Sequence, residues 1–407
     1  MFINFRVRNF RSIREEIIFS MERRGQTKDL PENSFVASGL PMKSALLKSA
    51  VIYGGNASGK SNLISAITAM QMVILHRGVE DVEVKRSLEP FQLSESTVNE
   101  PILFEMELAV NGRHFRYGFE CTRERIVTEW LYARKQRMTL MFAREGDAFV
   151  ESSPDFTELT AWRKILSDTK LSLPAEALFL PTAAKMFAGG MCEAVQEWFE
   201  HTLLVLSAET YRQYLGMTFE AMKDHELSRK ISMLISKADF GIQSVEIGDG
   251  NTHDAESDMM NVWTKHVVDG KSYRFNMFRQ ESAGTRKVFA LSAPLLDVLT
   301  HGKVLFIDEL DSSLHPLLVA ELLDLFHSDN PHCAQIVATA HSPSILTETT
   351  LRHDQVWFVS KGDDGITMLA SLADFKGIRG NFARIAKDYL HGCFGGVPNI
   401  HDLKVEE

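Results

Sequence analysis

The sequence predicts an α/β fold with mixed β-sheet lobes and an inserted helical subdomain, on three observations. Strand-type alternation dominates the first ~150 residues, the apolar period turns helical from about residue 155 to 236, and alternating strands and helices then run to about residue 371. At roughly 150 residues per packing unit, 407 residues make two to three units. The changes of period divide them as 1–150, 151–238 and 239–407. Shares of 44% hydrophobic and 24% charged residues exclude collagen-like, disordered and coiled-coil-only chains. With no internal repeat or low-complexity tract, the helical segment reads as an insertion rather than a tethered module.

A net charge of -10 argues against coating nucleic acid by bulk charge. It leaves a local basic groove, for which Arg6, Arg8, Arg11 and Arg14 with Arg134, Lys135 and Arg137 are the candidates. The first nine residues alternate apolar and polar, which suits a strand and lacks the apolar centre of a secretory leader. No stretch approaches the ~18 uninterrupted apolar residues that span a bilayer; even 288–307 carries Asp297 and Lys303. A soluble cytoplasmic protein with no membrane partner is expected. Cys121, Cys192, Cys333 and Cys393 form no C-x-x-C pair and are expected as free thiols, and His332 beside Cys333 lacks further ligands at metal spacing. Asp249 to Asp258 reads as an exposed polar loop.

Taken in order, Phe2 to Val7, Glu16 to Met21 and Ala50 to Tyr53 read as strands. Ile102 to Val110 and His114 to Cys121 flank Asn111-Gly112, a hairpin signal. In the second segment Trp198, Phe199, Leu203 and Leu206 recur at helical spacing, and strand signals return at Gln243 to Ile247.

The motifs lie on these elements. Ala50 to Tyr53 leads into Gly54-Gly55-Asn56-Ala57-Ser58-Gly59-Lys60-Ser61, a complete G-x-x-x-x-G-K-[ST] loop. Glycines let backbone amides wrap a phosphate, and the dipole of the following helix favours the anion. Lys60 would meet the β- and γ-phosphates and Ser61 would ligate Mg²⁺. Leu63, Ile67, Met70 and Ile74 give that helix an apolar face. Val304 to Ile307 is shaped as a buried parallel strand and ends in Asp308-Glu309, where ligands of such sheets bind. Asp308 is placed for the Mg²⁺ shell, and Glu309 to accept a proton from water attacking the γ-phosphate. A third strand, Gln335 to Ala340, ends in His341, a hydrogen-bond donor for the γ-phosphate. Glu281-Ser282-Ala283-Gly284-Thr285 opens a helix with the stripe Val288, Leu291, Leu295 and Val298; Ser282 is either an ordinary N-cap or part of an anion site.

The order of these elements resembles an ABC-type P-loop ATPase head of the SMC/RecF/OLD group rather than a classical AAA+ ring protein. Gly54 to Ser61 match Walker A in the N-terminal lobe. In the C-terminal lobe Asp308 and Glu309 match Walker B, Ser282 to Thr285 the signature, Leu310 to Pro316 the D-loop, and His341 the switch histidine. Asn9 to Ser12 and Tyr389 to Pro398 continue the match at both ends. The resemblance implies ATP and Mg²⁺ as cofactors. Nucleotide contacts would come from Gly54, Gly55, Asn56, Ala57, Ser58, Gly59, Lys60, Ser61 and Asn62, and from Ser282, Gly284, Thr285 and Asp311. Metal contacts would come from Ser61, Asp308 and Gln92 in the Q-loop role, and catalysis from Lys60, Glu309 and His341.

More narrowly, the chain resembles the stand-alone ATPases of bacterial phage-defence and abortive-infection modules, the AbiL-type and PARIS-type components. That implies a head-to-tail homodimer, or a higher oligomer, with each ATP between one chain's Walker loop and the other's Ser282 to Thr285. It also implies a separately encoded effector, a nuclease or other toxin, as partner. About 65 residues follow His341, too few for the TOPRIM nuclease domain of OLD-type proteins, so no nuclease is expected in this chain. The alternative is a RecF-like DNA-repair ATPase that closes on DNA. A scaffold that binds ATP without turnover has no need of Glu309.

Overall fold

The computed structural model describes residues 1–24, 30–41, 44–134, 136–168, 172–239, 241–248, 261–328, 330–348, 351–375 and 382–395. Asp249 to Asp258, Lys135, and Gly396 to Pro398 lie outside them. Among the described residues the strands form sheets of seven, six, three and two members. The seven-stranded sheet runs Ala148–Ser152, Met138–Glu145, Ile126–Arg134, Arg113–Cys121, Ile102–Val110, Phe2–Arg8, Ile17–Ser20, antiparallel throughout. Asn111-Gly112 turns its hairpin as expected, with both residues in the left-handed region that such turns require.

The six-stranded sheet carries the nucleotide motifs, in the order Leu203–Leu206, Val304–Ile307, Gln335–Ala340, Ser49–Tyr53, Val356–Lys361, Thr367–Ser371; the first five are parallel and the last antiparallel. Its strands read as unbroken apolar runs because both faces are covered. Ala50, Ile52, Val304, Phe306 and Val337 enter one core with the antiparallel sheet and the helix Lys60–Leu75. Val51, Tyr53, Leu305, Ile307, Ile336 and Ala338 enter the other, with the helices Tyr211–Ala221, Ala283–His301 and Pro316–Ser328. The helix Lys60–Leu75 buries Ile64, Ala66, Ala69 and Val73 besides the expected stripe, because sheets lie on either side of it.

The second segment needs correction. Trp198–Thr202 is a π-helical turn, and Leu203–Leu206 is a strand at the edge of the six-stranded sheet, pairing with Val304–Ile307. Four consecutive apolar residues carry no periodicity that separates strand from helix, and parallel pairing decided it. The helices of 151–238 also divide: residues from Thr157–Asp168, Phe179–Met186 and Met191–Glu197 join the core under the antiparallel sheet, and those from Tyr211–Ala221 and His225–Ala238 the opposite one.

A buried ionic network ties the first of these groups to the sheet. Arg144 Nε donates to Glu129 Oε2 at 2.7 Å, and the same carboxylate accepts the N–H groups of Phe179 and Leu180 at 2.7 and 2.8 Å, at the start of the helix Phe179–Met186. Tyr117 donates the fourth bond, and Arg144 spends its remaining nitrogens on the carbonyls of Gly146 and Ala177. No helix among the described residues is long and apolar enough to cross a membrane.

Candidate active site

The parallel strands Ser49–Tyr53, Val304–Ile307 and Gln335–Ala340 end side by side, which brings together motifs far apart in sequence. Gly54 to Gly59 form the turn between strand and helix, with Ala57 at φ 60° and Gly59 at φ 111°. Alternation of hand aims successive amides into one concavity, an anion nest at a helix N-terminus. Gly59 is required twice over: its φ suits glycine, and a Cβ would lie 2.2 Å from Thr367 Oγ1. Thr367 Oγ1 is also 2.7 Å from Ser12 Oγ and 3.0 Å from the Ser58 carbonyl, and Asn62 Nδ2 donates to Ser12 Oγ at 2.5 Å. Ser58 Oγ is buried without a partner among the described residues, an orphan polar atom in the wall of the loop.

Lys60 Nζ donates to the carbonyls of Gly54 and Gly55 at 2.6 and 3.1 Å and lies 3.4 Å from His341 Nδ1. Burial lowers its pKa, against the opposing pull of Asp308, Asp311 and Glu309. His341 Nε2 is 3.4 Å from Glu309 Oε1. An ammonium has no acceptor, so Nδ1 facing Lys60 accepts, Nε2 carries the proton, and the ring bridges the cation to the carboxylate. Thr339 Oγ1 donates to Asp308 Oδ1 and accepts the Glu309 N–H at 2.7 Å. Glu309 itself has φ 50°, a left-handed conformation uncommon for a glutamate, held by that bond and by Lys287 Nζ on its carbonyl at 2.6 Å. Burial pushes the Lys287 ammonium down to about 8.

Ser282 caps the helix Ala283–His301, its Oγ accepting the Thr285 N–H at 3.1 Å. The Thr285 hydroxyl is shared with Ser282 Oγ and the Asp239 carboxylate, and a Cβ on Gly284 would lie 2.7 Å from the Ser313 carbonyl. Ser282 is exposed and Thr285 buried. Asp311 points inward: its Oδ2 accepts the N–H groups of His341 and Ser342 at 2.9 and 2.7 Å. Gln92 is solvent-exposed, in the loop that precedes Ile102–Val110.

A cleft of about 1260 Å³ opens beside the loop, lined by Ser61, Asp308, Glu309, Ala283, Lys287 and Ser313 among others. The structure thus groups Lys60, Asp308, Glu309 and His341, places Ser61 and Asp308 on a common cleft, and leaves Gln92 on the surface. Sequence reasoning missed Thr339, Thr367, Asp239 and Lys287 as site residues, and had Ser12 only as the end of the matching stretch Asn9 to Ser12. Among the described residues no group of three or more His, Cys, Asp or Glu could hold a metal ion. One hydroxyl and one carboxylate, Ser61 and Asp308, fit a Mg²⁺ that takes its other ligands from phosphate and water. The nest and Lys60 fit the phosphates themselves.

Residues 49–168 and 218–347, more than half of the chain, match the family described as "AAA domain, putative AbiEii toxin, Type IV TA system". No curated protein matches. Among solved structures, an SMC head domain from Thermotoga maritima aligns with a TM-score of 0.44 at 13% identity, over 91% of this chain and 98% of that one. An SmcHead bound to the C-winged helix domain of ScpA gives 0.49 at 13%, over 91% and 97%. The Smc head domain with an extended coiled coil bound to the C-terminal domain of ScpA, derived from Pyrococcus furiosus, gives 0.44 at 12%, over 96% and 98%. The chain belongs to this AAA-domain family of AbiEii type.

Proposed function

We propose that this protein is the ATP-hydrolysing sensor or scaffold subunit of a bacterial anti-phage, abortive-infection complex. It dimerises head to tail around Mg²⁺-ATP and controls a separately encoded toxic effector, a nuclease or other toxin, as the AbiL-type and PARIS-type components it resembles would. One observation carries the hydrolysis: His341 stands 3.4 Å from both Lys60 Nζ and Glu309 Oε1, so the phosphate-binding cation, the base for water and a protonated imidazole nitrogen share one point. In this reading the loop amides and Lys60 hold the phosphates, Ser61 and Asp308 hold Mg²⁺, which neutralises charge on the transferring group, and Glu309 accepts the proton of the attacking water. Ser282 to Thr285 would close on the partner chain's nucleotide.

The defence setting is supported by the family's description, which names a toxin–antitoxin system. The RecF-like alternative draws less support, because the N-terminal arginines are already paired: Arg6 with Glu16 and Glu105, Arg8 with Glu120, Arg11 with Glu89, Arg14 with Glu15. Neutralised guanidinium groups release few counterions on a phosphate backbone. The test is a pull-down of tagged Glu309→Gln from its native host with ATP present, read by mass spectrometry. A stoichiometric nuclease or other toxin supports the proposal, and recovery of DNA and repair proteins without a toxin overturns it.

A further inference from the structure

The turn that follows the strand Val304–Ile307 is strained at both ends. Glu309 and Ser313 take φ of 50° and 61°, left-handed values that residues other than glycine keep only where the surroundings fix them. The Ser312 N–H closes the turn on the Glu309 carbonyl at 3.0 Å, and the Leu310 N–H ties it to the Thr339 carbonyl, also at 3.0 Å. One side chain reaches both ends. Lys287 Nζ donates to the Glu309 carbonyl at 2.6 Å and to the Ser312 carbonyl at 2.9 Å.

Lys287 belongs to a different element, five residues beyond the cap Ser282 on the helix Ala283–His301. The start of that helix already presses on the same turn, since a Cβ on Gly284 would lie 2.7 Å from the Ser313 carbonyl. Two contacts, one polar and one steric, therefore seat the turn against the helix. Burial lowers the lysine's pKa to about 8 against the pull of Asp311, Glu309 and Asp308, which leaves it mostly protonated at neutral pH, a donor with no acceptor of its own. A half-buried ammonium is a costly way to cap two carbonyls that a hydroxyl or a water could cap. What the lysine adds is reach from one element to the other.

We propose that Lys287 is a positioning residue: by clamping the Glu309 and Ser312 carbonyls it keeps Glu309 left-handed and its carboxylate beside His341 Nε2. It acts through the main chain of the base and touches neither phosphate nor metal in this role. The seat of the helix Ala283–His301 thereby becomes a condition for turnover, so contact at Ser282 to Thr285 reaches the base through Lys287. The inference rests on the ATPase reading for its kinetic consequence, and on the two hydrogen bonds for its structural one.

Lys287→Met keeps the stem and removes the donor, and Lys287→Arg keeps charge and donors. In Lys287→Met, turnover of Mg²⁺-ATP is expected to fall about 10- to 100-fold, the loss of a charge-assisted hydrogen bond, with affinity for a non-hydrolysable ATP analogue unchanged within about twofold. Lys287→Arg is expected to restore most of that turnover. The melting temperature is not expected to fall with activity, because methionine removes a half-buried charge, and this separates a lost clamp from a damaged fold. Hydrogen exchange at the Ser312 amide is expected to speed up in Lys287→Met and not in Lys287→Arg. In a Glu309→Gln background Lys287→Met is expected to add nothing. Wild-type turnover or unchanged Ser312 exchange in Lys287→Met overturns the proposal, as does a loss of analogue binding that matches the loss of turnover, or additivity with Glu309→Gln. Should Lys287→Met fail to fold, Lys287→Gln is read in the same way. A wild-type protein that does not hydrolyse ATP sinks the ATPase reading, and exchange at Ser312 then decides the clamp by itself.

Discussion

At the scale of single residues the site is an arrangement of charges that satisfy one another before any phosphate arrives. Lys60 is 4% exposed, and a buried ammonium needs acceptors, which it finds in the carbonyls of Gly54 and Gly55. A phosphate replaces those carbonyls with a full negative charge, so Lys60→Ala is expected to weaken ATP binding roughly 10- to 100-fold, the worth of a charge-assisted hydrogen bond. Equilibrium binding of a fluorescent ATP analogue checks it. Glu309 has a different role: its side chain is 51% exposed and stands 3.4 Å from His341 Nε2. Glu309→Gln is expected to cut turnover by at least about 100-fold, within the range for a general base, while ATP binding survives. Phosphate release measured beside nucleotide binding separates the two, and unchanged turnover would remove Glu309 from the chemistry.

At the scale of elements, the loop Gly54 to Gly59 is only as rigid as what stands behind it. The strand Thr367–Ser371 supplies that backing through Thr367, and the turn after Phe2–Arg8 supplies Ser12. Gly59→Ala would drive a Cβ to 2.2 Å from Thr367 Oγ1 at a φ of 111°, and is expected to abolish ATP binding while the melting temperature moves little. Thr367→Val removes the hydroxyl alone and is expected to cost a few-fold in affinity, about one hydrogen bond. This is also where legibility divides. Gly54 to Ser61, Asp308-Glu309 and the Ser282 cap were readable because each is a local pattern on one strand–turn–helix unit. The bond between Thr367 and Ser12 was not, since it joins positions 355 apart in sequence and Thr367 sits in no pattern of its own. Leu203–Leu206 was misread for a related reason: its pairing with Val304–Ile307 is a property of the sheet, not of four residues.

At the scale of the whole molecule, two buried polar clusters join the layers. Glu129 and Arg144 are at most 2% exposed and fully bonded, and Glu129→Gln would leave the guanidinium uncompensated beneath the antiparallel sheet. A loss of about 3–5 kcal/mol in urea unfolding is expected, as for other broken buried pairs. The second cluster lies at the opposite end of the six-stranded sheet from the nucleotide motifs, where His327 Nε2 meets Ser49 Oγ at 2.8 Å and Gln355 reaches the same hydroxyl at 2.7 Å. Burial, against the weaker pull of Asp324, lowers the His327 pKa to about 4 from 6.5. Between those values the unfolded chain binds a proton that the folded one refuses, so stability rises with pH across the window. The contribution, on the order of 3 kcal/mol, is complete above pH 6.5 and lost as pH falls toward 4. The melting temperature of His327→Gln is expected to fall less steeply than that of wild type between pH 6.5 and 4, and equal slopes would contradict it.

The strand order has a consequence for how the protein is made. Ser49–Tyr53 leaves the ribosome early, yet its two neighbours in the sheet are Gln335–Ala340 and Val356–Lys361, and the brace behind its loop is Thr367. A nascent chain therefore carries an unpaired, largely apolar strand until residues 335–361 have been translated, which favours chaperone capture over early folding. A chain stopped short of residue 367 would hold every residue of the phosphate loop and still lack the frame that makes it a binding site, so nucleotide capture waits on translation of the strand Thr367–Ser371.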